Sequence, residues 1–135
     1  MFTHSRPDRV VPVSYPKVTT CQPAGWDREK SPFNPKAEAI DVVSFHAGAG
    51  LADGELVVKL VNAAPEACPV TLTFDAQLPA GKVSRETLCG EPGAKNTPEE
   101  PTRVVPRKDA FDFAGGKKLD VQLPPYSFVV LRLRR

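Results

Sequence analysis

A chain of 135 residues, 41% hydrophobic and 25% charged, is long enough to bury one core and too apolar to be a disordered polymer. Its net charge of +2 is spread along the chain apart from Arg132, Arg134 and Arg135. There is no basic cluster interleaved with aromatics of the kind that nucleic-acid binding requires, so no nucleic-acid partner is expected. The 15 prolines, about twice the usual share, argue against long helices and for short extended pieces with many corners.

Residues 1–36 read as a Pro-rich extended segment that wraps the domain, with Pro7, Pro12, Pro16, Pro23, Pro32 and Pro35 and one β-like piece over Arg9–Ser14. The sandwich domain proper is expected over 37–135. Ala39–His46 is β-branched and extended. Gly48, Gly50 and Asp53-Gly54 then supply turn chemistry. Glu55–Val61 alternates, with Leu56, Val58 and Leu60 on one face. Val70, Leu72 and Phe74 alternate with Thr71 and Thr73, a half-buried strand. The short Asn62–Glu66 turn between these two strands reads as an antiparallel hairpin.

Val83–Cys89 is the next strand. Gly90–Pro106 is a long Pro/Glu loop with a short extended piece at Arg103–Val105. Leu119, Val121 and Leu123 form a further strand, Pro124-Pro125 a corner, and Tyr126–Arg134 the closing strand. In that last strand the arginines alternate with Leu131 and Leu133, which describes one solvated face. About seven short strands with turns between them specify an all-β fold, an antiparallel β-sandwich of jelly-roll or Greek-key type.

The three cysteines, Cys21, Cys68 and Cys89, contain no C-x-x-C pair and read as free thiols in a reducing compartment. Cys68 and Cys89 could pair only if their strands lie side by side. Met1–Val13 has no apolar core of a signal peptide and no run reaches membrane-spanning length, so a cytoplasmic, soluble chain without a membrane partner is expected.

Candidate chemistry is sparse. His4 and His46 are the only histidines; His46 is read as a strand-end residue rather than a general base. No spacing supports a metal site or a cofactor. Glu99 and Glu100 are neighbours on a loop, which does not place two carboxylates across a glycosidic bond. No catalytic residue is assigned. Trp26, Tyr15 and Tyr126 are the candidate carbohydrate-binding residues, as the only Trp and Tyr side chains able to offer a sugar a platform. For Trp26 a core plug is the competing reading.

Three stretches resemble the C-terminal domain of α-L-arabinofuranosidases of glycoside hydrolase family 51. Glu55-Leu-Val-Val-Lys-Leu-Val-Asn62 is similar to the family's strand ending in Lys-x-Val-Asn. Asn96-Thr-Pro-Glu-Glu-Pro-Thr-Arg-Val-Val-Pro106 resembles its long loop, which carries Phe where this chain has Pro98. Leu123-Pro-Pro-Tyr-Ser-Phe-Val-Val-Leu-Arg-Leu133 is similar to its closing strand. Met1–Val13 resembles the segment that leaves the last barrel helix of those enzymes, and Thr20–Pro35 reads as an insertion.

The resemblance implies a sandwich that accompanies a (β/α)8 barrel. In the family that barrel carries the catalytic glutamates and removes terminal arabinofuranosyl groups from arabinan and arabinoxylan with retention of configuration. The family's Asn-Glu acid/base dipeptide does not occur in this sequence. The expectation is therefore a non-catalytic accessory domain of hemicellulose metabolism, without enzymatic activity of its own. A stand-alone carbohydrate-binding module and a small glycan-active enzyme with an unrecognised site are the alternatives. Expected partners are a barrel in cis or in trans, a plant polysaccharide, or a second copy. Without a barrel, apolar surface or an unpaired sheet edge needs a cover. Thr20–Pro35 or homodimerisation would provide one.

Overall fold

The computed structural model describes residues 7–15, 17, 19–21 and 42–135. Trp26, His4 and the boundary expected at 36/37 lie outside them. Ten strands are described: β1 (Arg9–Val11), β2 (Thr20–Cys21), β3 (Val42–Val43), β4 (Phe45–Ala52), β5 (Glu55–Asn62), β6 (Cys68–Leu78), β7 (Gly81–Cys89), β8 (Arg107–Phe113), β9 (Gly116–Leu123) and β10 (Ser127–Arg134). Every pairing is antiparallel. A six-stranded sheet runs β1-β4-β5-β10-β7-β8, β6 pairs with β9, and β2 with β3. The all-β sandwich expected from alternation and proline-rich corners is the fold observed.

The core lies between the six-stranded sheet and the β6–β9 pair. Val58 and Leu60 of β5, Val83 of β7, Phe113 of β8, Leu119, Val121 and Leu123 of β9, and Val129, Leu131 and Leu133 of β10 meet there. In β6 the inward Val70, Leu72 and Phe74 alternate with exposed Pro69, Thr71 and Thr73, as a two-faced strand requires. Strand β10 is central, flanked by β5 and β7. Its other face is also covered: Val130, with Val57 of β5 and Ala52 of β4, forms a second small cluster on the far side of the sheet. This double burial explains the near-continuous apolar run Phe128–Leu131.

Several local expectations are corrected. First, β5 and β6 are not a hairpin. β5 pairs with β4 and β10, while β6 pairs with β9, so 63–67 carries the chain from one sheet to the other. Second, Gly48 and Gly50 lie inside β4 rather than in a turn; only Asp53-Gly54 turns. Asp53 (φ 51°) and Gly54 (φ 78°) are both left-handed, the conformation a two-residue hairpin between Ala52 and Glu55 needs.

Gly50 instead permits a close approach. The amide of Asp8 donates to the Leu51 carbonyl at 2.7 Å, and a Cβ at position 50 would lie 2.7 Å from the Arg9 carbonyl oxygen and collide with the Pro7 ring. This is how the N-terminal chain lies against β4 as β1. Third, Arg107–Phe113 is a strand where none was expected. Fourth, Arg103–Val105 joins no ladder, and Tyr126 sits in the corner before β10 rather than in it.

Candidate functional site

Among the described residues the densest polar assembly is the corner where β5 hands over to β6 and β9 to β10. Its centre is Asn62, the last residue of β5 and only 2% exposed. Its Nδ2 donates to the carbonyls of Glu66 at 2.8 Å and Pro124 at 2.9 Å, and its Oδ1 accepts from the Ala64 amide at 3.1 Å. Only a carboxamide offers two donors and an acceptor at this reach. Asn62 thus fastens the sheet-changing 63–67 connection to the Pro124-Pro125 corner.

Neighbouring groups extend the network. The Tyr126 amide donates to the Ala64 carbonyl at 3.1 Å, and Ser127 Oγ to the Pro124 carbonyl at 2.7 Å. On the other flank the Ala63 amide donates to the Ser44 carbonyl at 2.7 Å, and buried Ser44 bonds Thr19 through both its amide and its hydroxyl, each at 2.8 Å. Tyr126 holds a left-handed backbone, φ 46°, unusual for a bulky residue, and its bond to Ala64 helps keep it there.

The same chemistry recurs in the 90–106 loop. Asn96 Nδ2 donates to the Val104 carbonyl at 3.0 Å, while its Oδ1 accepts from the Val104 amide at 2.7 Å. The side chain pairs with the Val104 backbone as one peptide of a neighbouring strand would, although Val104 lies in a bend outside any ladder. Inside the loop Thr97 Oγ1 accepts from the Glu100 amide at 3.1 Å, and Arg103 pairs with Glu100 at 3.2 Å. Glu99 and Glu100 are both exposed and build no carboxylate pair across a cleft.

Charged groups gather on the six-stranded sheet. A shallow depression of about 330 Å³ is lined by Glu55, Lys82, Ser84, Ala110, Arg132 and Arg134. Its charges are largely answered: Arg132 meets Glu55 at 3.6 Å and Lys82 meets Asp112 at 2.9 Å. Between β7 and β8, Arg85 Nε donates to Asp109 Oδ1 at 2.9 Å and its Nη2 to Oδ2, a two-point fork, with the guanidinium 5.5 Å from the Phe111 ring centre. The hydrogen bond from Arg85 holds the Asp109 carboxyl below the usual carboxylate range, and the same bond raises Arg85.

Of the expected sugar platforms, Tyr15 packs edge-on against Phe45, with ring centres 5.4 Å apart. Phe45, Asn62 and Ser127 are aligned across β4, β5 and β10, so Tyr15 and Tyr126 come to the same end of the sheet. Tyr15 is exposed and Tyr126 half-buried; Trp26 lies outside the described residues. His46 is exposed beside Phe45 on the same strand. Cys68 and Cys89 sit on β6 and β7, which belong to different sheets, and Cys21, Cys68 and Cys89 are free thiols. Among the described residues no group of three or more His, Cys, Asp or Glu side chains is placed to hold a metal ion, and no helix is long and apolar enough to cross a membrane. The roles of Asn62 and Asn96 were not read from the sequence, although both stand in the motifs that carried the resemblance. The Arg85–Asp109 fork was hidden because β8 itself was not recognised.

A family model described as the α-L-arabinofuranosidase C-terminal domain matches residues 1–127. Among solved structures, one arabinofuranosidase is similar over 99% of this chain and 27% of its own, with a TM-score of 0.75 at 16% identity. The family 51 arabinofuranosidase of Xanthomonas axonopodis pv. citri is 27% identical over 73% of this chain and 20% of its own, with a TM-score of 0.61. The α-L-arabinofuranosidase of Thermotoga maritima, solved as an arabinose complex, is 21% identical over 73% of this chain and 21% of its own, with a TM-score of 0.63. The chain thus spans 20–27% of the length of these relatives. A search of curated proteins finds no match.

Proposed function

We propose, for a chain that belongs to the α-L-arabinofuranosidase C-terminal domain family, that its task is to support a family 51 catalytic barrel, in cis or in trans, in the breakdown of arabinose-containing hemicellulose. The chain is a non-catalytic accessory domain resembling that of family 51 arabinofuranosidases. The observation that carries the proposed role is the family match over 1–127. Asn62 and Asn96 brace this domain's own corner and loop, and their hydrogen bonds go to its backbone. The proposal keeps 1–36 as a wrap and 37–135 as the sandwich, supported at its start by β1 lying along β4. It places the chain in the cytoplasm, supported by three free thiols.

The test is to add the purified chain to a family 51 barrel expressed without its own sandwich. Support predicts a higher melting temperature and more arabinose released from an aryl arabinofuranoside by the mixture than by the barrel alone. The chain alone should release none. Identical behaviour of the barrel with and without the chain would overturn the role.

A second reading, a carbohydrate-binding module, is favoured by one observation: Tyr15 and Tyr126 share one end of the sheet. It predicts retardation in an arabinoxylan affinity gel that weakens in Tyr15→Ala. A release of arabinose by the chain alone, abolished by a site variant, would instead mark a small glycan-active enzyme.

A further inference from the structure

The edges of the two larger sheets are unequally defended. Among the described residues four strands bound these sheets: β1 and β8 in the six-stranded sheet, β6 and β9 in the smaller one. An edge strand exposes unpaired N–H and C=O groups and invites another chain unless it is short, charged or interrupted. β1 has three residues, lies between Pro7 and Pro12, and carries Arg9. β8 follows Pro106 and bears Arg107, Lys108, Asp109 and Asp112 within seven residues. β9 bears Lys117, Lys118 and Asp120.

β6 differs in length and in charge. It is the longest described strand, 11 residues, with no Lys or Arg and a single charge at Asp75. Pro69, near its start, is its only proline. Its ladder to β9 is regular from Cys68 to Thr73 and then breaks, so residues 74–77 have no ladder partner on β9. The layer that β6 bounds has two strands and faces a sheet of six. Phe45, Ala47 and Ala49 at one flank of the core and Phe111 at the other remain only partly buried.

We propose that β6 is an interaction edge whose partner is β6 of a second copy of this chain, paired antiparallel about a two-fold axis. An antiparallel edge is complementary to itself, because the same alternation of donors and acceptors runs in both directions. The charge pattern selects the copy: with one aspartate in 11 residues, a two-fold near Leu72 sets Asp75 against the uncharged start of the partner strand and opposes no like charges. The product is a four-stranded layer, β9-β6-β6-β9, spanning two six-stranded sheets. This holds whether or not the chain also serves a barrel.

Sedimentation equilibrium of the full chain across about two decades of concentration, in the micromolar-to-millimolar range suited to a small interface, should show a reversible dimer. Amide exchange in β6 should slow as concentration rises while exchange in β8 does not. Thr73→Lys puts a cation on the exposed side of β6 and brings two lysines together near the axis. It should weaken the dimer about tenfold with an unchanged circular dichroism spectrum. Ala110→Lys, the same change on β8, should leave the dimer intact. A monomer throughout, concentration-dependent protection outside β6, or a Thr73→Lys chain that folds and dimerises like the wild type would each overturn the proposal.

Discussion

Two asparagines do the same chemical work in two different environments. Asn62 and Asn96 each use a carboxamide to donate to and accept from backbone, at distances of 2.7–3.1 Å. Asn62 is buried and joins the connection that follows it to Pro124, 62 positions away in sequence. Asn96 is exposed and closes a single loop over eight positions. A hydrogen bond contributes a small net amount when water can replace the partner and costs much more when its loss strands a buried group. The two motif residues are therefore equivalent in chemistry and unequal in energy. What separates them is the cost of being left unpaired, which burial sets.

The largest effect should come from Asn62→Ala. It removes three hydrogen bonds, strips partners from the Glu66 and Pro124 carbonyls, and opens a small cavity at the sheet end. The expected loss is about 2–3 kcal/mol, seen as a fall in melting temperature of about 10 °C. A loss no greater than that of Asn96→Ala would break the comparison.

Asn62→Asp is the sharper variant. It keeps the acceptor for Ala64 but faces two carbonyl oxygens with a carboxylate. It should cost about as much as alanine at neutral pH, and the deficit should shrink in acid, where the protonated carboxyl regains a donor. Denaturant melts at neutral and acidic pH, each against wild type, check the sign.

The difference between the asparagines also marks how far sequence reading reaches here. Strands β5, β6, β9 and β10 were legible because one face of each is apolar and the alternation follows the pleat. β8 was not, because Arg107, Lys108, Asp109 and Asp112 leave only Phe111 and Phe113 as an inward signal. The Asn62–Glu66 turn read as a hairpin because its length suits one. Whether such a turn pairs its strands or sends the chain to another sheet depends on Pro124, which no local window contains. Gly50 reads as a turn residue from composition; its actual reason, Pro7 and Arg9 lying against it, is a tertiary contact. The motifs at Glu55–Asn62, Asn96–Pro106 and Leu123–Leu133 led to the right family, since the family match spans the first two and runs into the third as far as Ser127. Their physical content, two backbone-binding carboxamides and a braced proline corner, became visible only once burial and partners were known.

Asn96→Ala should cost only about 0.5–1 kcal/mol, because Asn96 is exposed and its hydrogen bonds lie at the surface. Its clearest trace is local: the Val104 amide should exchange faster in the variant while amides of β5 and β10 keep their rates. A global destabilisation comparable to Asn62→Ala would mean the 90–106 loop is coupled to the core more tightly than its exposure indicates.

The smallest effect tests whether exposure governs charged contacts in the same way. The Arg85–Asp109 fork is well formed, yet the Asp109 side chain is 52% exposed. Solvent screening should hold its contribution below about 1 kcal/mol. Asp109 is ionised more readily in the folded state than in the unfolded one because Arg85 donates to it. The stabilisation is therefore fully present above the unfolded carboxylate value of about 4 and is lost as pH falls through the lower folded value. Asp109→Asn should be slightly less stable than wild type at neutral pH, and the gap should close in that acidic window. Added salt should narrow it at neutral pH as well. The Arg85 contact with Phe111 survives the substitution, so a gap that persisted unchanged into strong acid would assign the effect to packing around β8 rather than to charge.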